Sequence, residues 1–157
     1  MRFFMYYRVI SVAPTIDTAI YAAGDQIGGL MTLSNATMED GGNAILRNLT
    51  IIDKDKEKAV IDVLFFSADP TVASSDNAAL NISDANMASY FLGKVSVAAA
   101  DYTDLSASSV ASVTNTGLIL QAAAGSRSLY AIMKVLSGTP TFTATNDLQI
   151  KFGLEQG

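Results

Sequence analysis

Residues 44–66 read AILRNLTII, DKDKEK and AVIDVLFF in succession, and this stretch decides the fold class. Two runs rich in branched aliphatic and aromatic side chains flank a segment in which all six residues are charged. Apolar runs of this kind form strands, and charged residues collect where the chain turns in water. The stretch predicts a β-hairpin with a solvated, charged tip, in which Ile45, Leu49 and Ile51 share one face of the first strand.

The rest of the chain carries further short apolar runs between turn residues. Gly117 and Pro140 lie in two of the predicted turns. Ser83 predicts the N-cap of one short helix that extends from residue 84 to about residue 91. Further strands are predicted over residues 94–97, 107–113, 118–123, 128–136 and 148–154. Roughly eight to ten strands with one short helix predict a mainly β fold, either an antiparallel β-sandwich or a jelly-roll-like barrel.

The chain of 157 residues fits one domain, since single domains cluster near ~100–150 residues. We divide it into residues 1–15, an N-terminal arm or edge strand, and residues 16–157, a single β-rich domain. Residues 1–10 read MRFFMYYRVI, with four aromatic side chains within residues 3–7. Arg8 interrupts this run too early for a secretory signal. The segment is therefore either a strand of the domain core or an arm that binds another subunit.

The composition excludes several kinds of chemistry. The sequence has no Cys, no His and no Trp. It therefore lacks disulfides, thiolate nucleophiles, imidazole bases and metal sites built on Cys or His. Its net charge is −5, whereas proteins that bind nucleic acid carry a basic face. No run approaches the ~18 apolar residues of a membrane helix. We expect no cofactor, no metal, no nucleic-acid partner and no membrane partner.

Acidic residues are the remaining candidates for catalysis or metal binding. Residues 53–57 resemble the start of a calcium-binding loop, but Lys58 and Leu64 stand where such a loop needs Gly and Glu. Two carboxylates suffice for glycoside hydrolysis. The acids available for that role are Asp17, Asp25, Glu39, Asp40 and Asp101. None lies among the aromatic residues typical of a sugar-binding cleft, so we predict that the protein is not an enzyme.

Several predicted strands are apolar on both faces. Tyr130 and Ile132 lie on the second face of one strand, and Phe66 lies on the second face of another. A sandwich strand normally has one polar face, so these faces need cover from a loop of the same chain or from another subunit. We expect oligomerisation. The predicted interface consists of Phe3, Phe4, Met5, Tyr6, Tyr7, Phe66, Tyr130 and Ile132.

Three segments together resemble a known family. Residues 16–29 read IDTAIYAAGDQIGG, residues 44–70 join a strand ending in Ile-Ile-Asp to VLFFSADP, and residues 148–156 read LQIKFGLEQ. With the short acidic helix between them, these segments resemble the small virion structural proteins encoded in the head gene clusters of tailed bacteriophages, a family identified with capsid decoration (cement) proteins. The resemblance spans roughly residues 16–157, and the segment before Ser11 lies outside it.

The resemblance implies a virion protein that binds the outer surface of the major capsid protein shell and stabilises it, often as a homotrimer. Its implied partners are the major capsid protein and copies of itself. Its implied location is the capsid surface, after synthesis in the host bacterial cytoplasm. Two other functions stay open: another virion component in the tail or the head–tail junction, and a β-sandwich module that binds carbohydrate or mediates adhesion.

Overall fold

The computed structural model describes residues 4–157, which form nine strands, one α-helix and one short 3-10 helix. The strands are β1 (Tyr6–Val12), β2 (Gln26–Leu33), β3 (Asn43–Asp53), β4 (Val60–Phe66), β5 (Phe91–Val97), β6 (Tyr102–Asp104), β7 (Ser109–Gln121), β8 (Leu129–Ser137) and β9 (Leu148–Gln156). Helix α1 (Asp84–Tyr90) lies between β4 and β5, and the 3-10 helix (Ala99–Asp101) precedes β6.

The strands form two antiparallel sheets. The five-stranded sheet has the order β1-β9-β3-β7-β6, and the four-stranded sheet has the order β2-β8-β4-β5. Neither sheet closes on itself, so β1 and β6 are the edges of one sheet and β2 and β5 are the edges of the other. The mainly β prediction is confirmed, and the architecture is the sandwich rather than the barrel.

The core lies between the two sheets. Alternate residues of each long strand point inward, as in β4, where Ile61, Val63 and Phe65 are fully buried in one apolar cluster. Phe65 meets Phe152 of the opposite sheet edge to face, with ring centroids 5.9 Å apart. This pair joins the two sheets near the middle of the core.

The predicted hairpin is wrong, because β3 and β4 belong to different sheets. The carboxylate of Asp53 is fully buried and accepts hydrogen bonds from the backbone N–H groups of Asp55 (3.0 Å) and Lys58 (2.8 Å). Lys56 and Lys58 have positive φ angles of 59° and 49°. Asp53 thus closes a compact loop that carries the chain across the sandwich. Both strands are apolar on their inward face. Two strands that face each other across the core show this pattern, and so do two strands that are hydrogen-bonded in one sheet, so the pattern does not distinguish them.

The predicted turn at Gly117 is a bulge within a single long strand. Asn115 and Gly117 have positive φ angles, and the register between β3 and β7 shifts there, but β7 continues to Gln121. Arg47 forms the matching irregularity in β3. A bulge reverses the alternation of side chains. The prediction that Ile45 shares one face with Leu49 and Ile51 is therefore wrong. Ile45 lies on the outer face of the sheet.

The short helix is confirmed. The Ser83 side chain accepts a hydrogen bond from the backbone N–H of Asn86 (3.2 Å), which satisfies one donor of the first turn. The predicted strands after the helix are present as β5, β8 and β9.

Gly93 allows β5 to approach β7 closely. Its φ is +153°, and a Cβ at this position would lie 2.6 Å from Cδ1 of Leu118. We expect Gly93→Ala to lower the free energy of unfolding by about 1–2 kcal/mol, through backbone strain and displacement of Leu118. Urea denaturation measures this loss. Gly29→Ala is the control, because a Cβ there meets no atom within 4 Å and its φ is not in the positive range. Equal losses for both variants would contradict the close approach.

Asp62 makes stability fall in acid. Burial alone would raise the pKa of its carboxyl, but hydrogen bonds from Ser96 and Lys94, with the charges of Lys94 and Lys134, outweigh burial and lower the pKa. A lowered folded-state pKa stabilises the fold above the unfolded value of about 4, and this stability is lost as the pH falls through the folded value. We expect Asp62→Asn to flatten the dependence of Tm on pH below about pH 5. An unchanged acid slope would show that Asp62 does not contribute.

Candidate functional site

One face of the molecule carries a row of exposed apolar side chains. Cross-strand register places four residues side by side on the outer face of the five-stranded sheet: Tyr7, Glu155, Ile45 and Ile119. Tyr7 is 69% exposed, Ile119 is 70% exposed and Ile45 is half-buried. Val9 lies two residues from Tyr7 on the same face and is 66% exposed. Strands ~4.8 Å apart make the row about 14 Å wide.

A shallow groove continues this row towards the N-terminus. The groove encloses about 210 Å³ and is lined by Phe4, Met5, residues 43–45 and residues 155–157. The rings of Phe4 and Tyr6 are 6.4 Å apart at its rim. We use the name apolar corner for the side chains of Phe4, Met5, Tyr6, Tyr7, Val9, Ile45 and Ile119.

One ion pair crosses the apolar corner. The guanidinium of Arg47, which stands at the bulge of β3, donates to the carboxylate of Glu155 in β9. The Glu155 side chain is largely buried, whereas that of Arg47 is about half exposed. Because Arg47 neutralises Glu155, the apolar row has no net charge at its centre.

The predicted N-terminal arm includes an edge strand of this chain's own sheet. β1 pairs with β9 along Tyr6–Val12, and its residues Ile10 and Val12 pack partly against the core. The first half of the strand and the two residues before it are exposed. The structure thus brings together four residues of the predicted interface: Phe4, Met5, Tyr6 and Tyr7. Phe3, which belongs to the same prediction, lies outside the described residues.

The other half of the predicted interface needs correction. Phe66 and Ile132 are fully buried on the outer face of the four-stranded sheet, on the opposite side of the molecule. The chain's own segment 67–90 covers this face. The ring of Phe66 lies 5.7 Å from that of Phe91, and Leu80, Ile82 and Met87 of the covering segment face Leu64. Tyr130, paired with Phe66, is half-buried. The second apolar face of these strands therefore serves folding within the chain.

Sequence reasoning missed three members of the apolar corner. Val9 follows Tyr7 at the period of a strand, so alternation along β1 would have identified it. Ile119 stands between the inward-facing Leu118 and Leu120, which is the alternation of a strand with one outward apolar residue. The sequence pattern places Ile45 on one face with Leu49 and Ile51, because the bulge at Arg47 leaves no mark in the sequence.

The acidic candidates serve local structure in three connections between strands. Asp17 accepts hydrogen bonds from the backbone N–H groups of Thr18 and Ala19, and Asp25 accepts one from Ala22. Asp101 accepts a hydrogen bond from the N–H of Ala98, Asp40 pairs with Arg127, and the carbonyl of Glu39 accepts a hydrogen bond from Gly42. Within residues 4–157, each of these five acids thus makes its own local hydrogen bond or ion pair, and they do not form a paired catalytic site.

The loop that resembles a calcium site holds neighbouring loops together. Glu57 accepts a hydrogen bond from the N–H of Thr141 and Asp55 accepts one from Thr143, both in the connection between β8 and β9. Burial raises the pKa of Asp53, although hydrogen bonds from the backbone oppose this effect. Among the described residues, no group of three or more acidic side chains could hold a metal ion.

Two further polar groups lie beside this loop, the partly buried phenol of Tyr102 and the buried hydroxyl of Ser109. Burial, with the charges of Asp53 and Asp101 as smaller causes, raises the pKa of the Tyr102 phenol, whose O–H donates to the carbonyl of Ala59 at 2.9 Å. The hydroxyl of Ser109, opposite Asp53 in the ladder, is buried without a partner in the described part of the chain. The Tyr102 hydrogen bond thus ties β6 to the segment that leads into β4, whereas the unpartnered Ser109 hydroxyl costs stability.

Comparison with known proteins identifies no family for this chain. No family model matches the chain, and no curated protein matches it. Among solved structures, the chain is similar to one from the capsid of Ralstonia phage GP4, with 19% identity over 98% of this chain and 85% of that chain and a TM-score of 0.43. Among residues 4–157, no helix has the length and apolar character needed to cross a bilayer. The functional conclusion therefore depends on the residues of this chain.

Proposed function

We propose that this protein is a structural component of a tailed-phage virion, a decoration protein rather than an enzyme. In this role it binds the outer surface of the major capsid protein shell through the apolar corner and stabilises the shell. The sequence supports this role, because residues 16–29, 44–70 and 148–156 resemble the virion structural proteins described above. The β-sandwich fold agrees with that role.

The observation that carries the proposal is the contrast between the two outer faces. Segment 67–90 covers the outer face of the four-stranded sheet, so apolar residues such as Phe66 are fully buried there. The five-stranded sheet has no such cover over Tyr7 and Ile119. Exposed apolar patches rimmed by polar residues are typical of protein-binding surfaces. The Arg47–Glu155 ion pair lies within this patch, and Lys151 lies beside it on the same outer face of β9.

Burial of the apolar corner is sufficient for a useful contact. If docking removes about 300 Å² of apolar surface from water, the gross gain is roughly 7 kcal/mol. The loss of rigid-body freedom offsets much of this gain. A decoration oligomer that engages several sites of the shell at once then binds more tightly than one protomer does. The family resemblance implies a trimer as the oligomer that supplies this multivalency, whereas the strand pairing proposed below gives a two-fold dimer, so the mass in solution distinguishes the two.

Cosedimentation with shells assembled from the major capsid protein of the same phage tests the proposal. We expect the wild-type chain to bind the shells and Ile119→Lys to bind at least tenfold more weakly, because a buried lysine charge has no partner at the contact. Ile20→Lys is the matched control, since Ile20 is similarly exposed in a loop outside the apolar corner. Equal binding by both variants, or no binding by the wild-type chain, would contradict the proposal.

A further inference from the structure

We propose that the free edge of β1 pairs antiparallel with β1 of a second copy, so that two five-stranded sheets join into one continuous sheet across a two-fold axis at Tyr7. This inference goes beyond the proposed function and does not depend on capsid binding. It assigns the edge of the strand to a second copy and leaves the outer face of the sheet for the shell.

The four sheet edges differ in how well they are protected. β6 spans three residues and ends in Asp104, which pairs with Lys58. The beginning of β2 is covered, because Gln26 exchanges backbone hydrogen bonds with Asn77 and Ala78. Short strands, charges and covering loops are the means by which native proteins block pairing at an edge.

The remaining two edges also differ from each other. β5 carries the charge of Lys94 and the irregular backbone of Gly93, and both interrupt pairing. β1 spans seven residues and has no proline, no glycine and one charge, Arg8. Its outer-face side chains Tyr7 and Val9 are exposed, and so is Tyr6 on the opposite face. Of these four edge strands, β1 is therefore the one best suited to pair with another strand.

A second copy fits this edge because the exposed apolar residues are self-complementary. A two-fold axis perpendicular to the sheet places each outer-face residue of one strand opposite an outer-face residue of the partner strand. The axis must then pass beside a single residue that faces its own copy, and we call this residue the centre of the register. In the register centred on Tyr7, the two Tyr7 side chains face each other and Val9 faces the partner's Met5. All of these side chains are exposed in the single chain. The register centred on Val9 instead places Tyr7 beside the partner's polar Ser11.

The single charge of the strand supports the same register. Arg8 is exposed and has no ion-pair partner among the described residues. In the register centred on Tyr7, Arg8 lies directly opposite the partner's Tyr6, and Tyr6 lies opposite the partner's Arg8. A guanidinium over a tyrosine ring is a favourable cation–π contact. The register centred on Arg8 would place the two like charges directly opposite each other, which is destabilising.

Disulfide trapping tests the register, because the natural chain has no cysteine and gives no background. Directly opposite residues of an antiparallel pair have Cα atoms about 4.5–5.5 Å apart, within the range that a disulfide bridges. We expect full-length Tyr7→Cys to form a disulfide-linked dimer under mild oxidation, and Val9→Cys and Ile119→Cys to stay unlinked. Crosslinking of Val9→Cys in preference to Tyr7→Cys would overturn the proposed register.

Sedimentation velocity on the unmodified chain tests the two-fold contact itself. The expected mass is twice the 16.5 kDa of one protomer, and Tyr7→Lys should shift the dimer to monomer with at least a tenfold weaker association. Ile119→Lys should keep the dimer, because its side chain lies three strands away from the edge. A monomer, a trimer, or a dimer unaffected by Tyr7→Lys would each contradict the proposal. Circular dichroism confirms that both variants are folded.

Discussion

Phe152→Ala is expected to lower the free energy of unfolding by about 4 kcal/mol. Phe152 is fully buried in β9, the strand that lies between β1 and β3, and its ring contacts Phe65 of the opposite sheet. Alanine removes this contact and leaves a cavity that two rigid sheets cannot close. Since domains of this size have total stabilities of about 5–15 kcal/mol, the loss is a large fraction of the whole.

Thermal unfolding followed by circular dichroism measures the effect, which corresponds to a fall in Tm of roughly 8–16 °C. Phe91→Ala is the control, because Phe91 is 38% exposed and lies on the outer side of the other sheet, so its loss should be clearly smaller. If the two variants unfold at the same temperature, the contact between Phe65 and Phe152 does not lie at the centre of the core.

Asp53→Ala is expected to lower the free energy of unfolding by about 3 kcal/mol, because it removes the acceptor of two partly buried backbone N–H groups. Those groups belong to Asp55 and Lys58, in the loop that carries the chain from one sheet to the other. Asp104→Ala, at the same end of the sandwich, should cost less than about 1 kcal/mol, because it removes only an exposed ion pair with Lys58. Urea denaturation separates the two, and similar losses would contradict the anchoring role of Asp53.

The pH dependence of stability gives a second test of Asp53, and the effect expected has the opposite sign to that of Asp62. Burial raises the folded-state pKa of Asp53 above its unfolded value. The folded state therefore holds its proton more tightly, and stability falls as the pH rises from the unfolded pKa through the folded one. Asp53→Asn should remove this fall while keeping one acceptor oxygen. If Asp53→Asn shows the same pH dependence of stability as the natural chain, the loss of stability with rising pH comes from another group.

Local patterns in the sequence predict the individual elements well, but not which strands pair. Ser83 marked the helix, and alternation marked β5, β8 and β9, because caps and side-chain period are properties of neighbouring residues. The hairpin failed because strands that pair and strands that face each other across a core carry the same apolar pattern. The distinction lies in the buried Asp53, whose charge looked like part of a solvated tip.

In the candidate site, too, the sequence predicts local features but not contacts between distant segments. The aromatic run at residues 4–7 was identifiable, because so many exposed rings at one terminus need a partner. Phe66 and Ile132 were assigned wrongly, since the sequence does not reveal that segment 67–90 folds back over them. Ile45 and Ile119 meet only through the pairing of β3 with β7 and the bulge in each strand. Contacts between distant segments of this kind arise from the folded sheet and leave no local pattern.

The copy number of this chain in the mature virion tests the central claim most directly. A protein that decorates an icosahedral shell is repeated by the symmetry of that shell, so quantitative mass spectrometry of purified virions should find copies on the order of hundreds, in proportion to the major capsid protein. A tail or junction protein would be present in roughly a dozen copies, as the symmetry of a ring dictates. Hundreds of copies, released together with the shell, are the predicted result. A count near a dozen, or absence from the virion, would contradict the account.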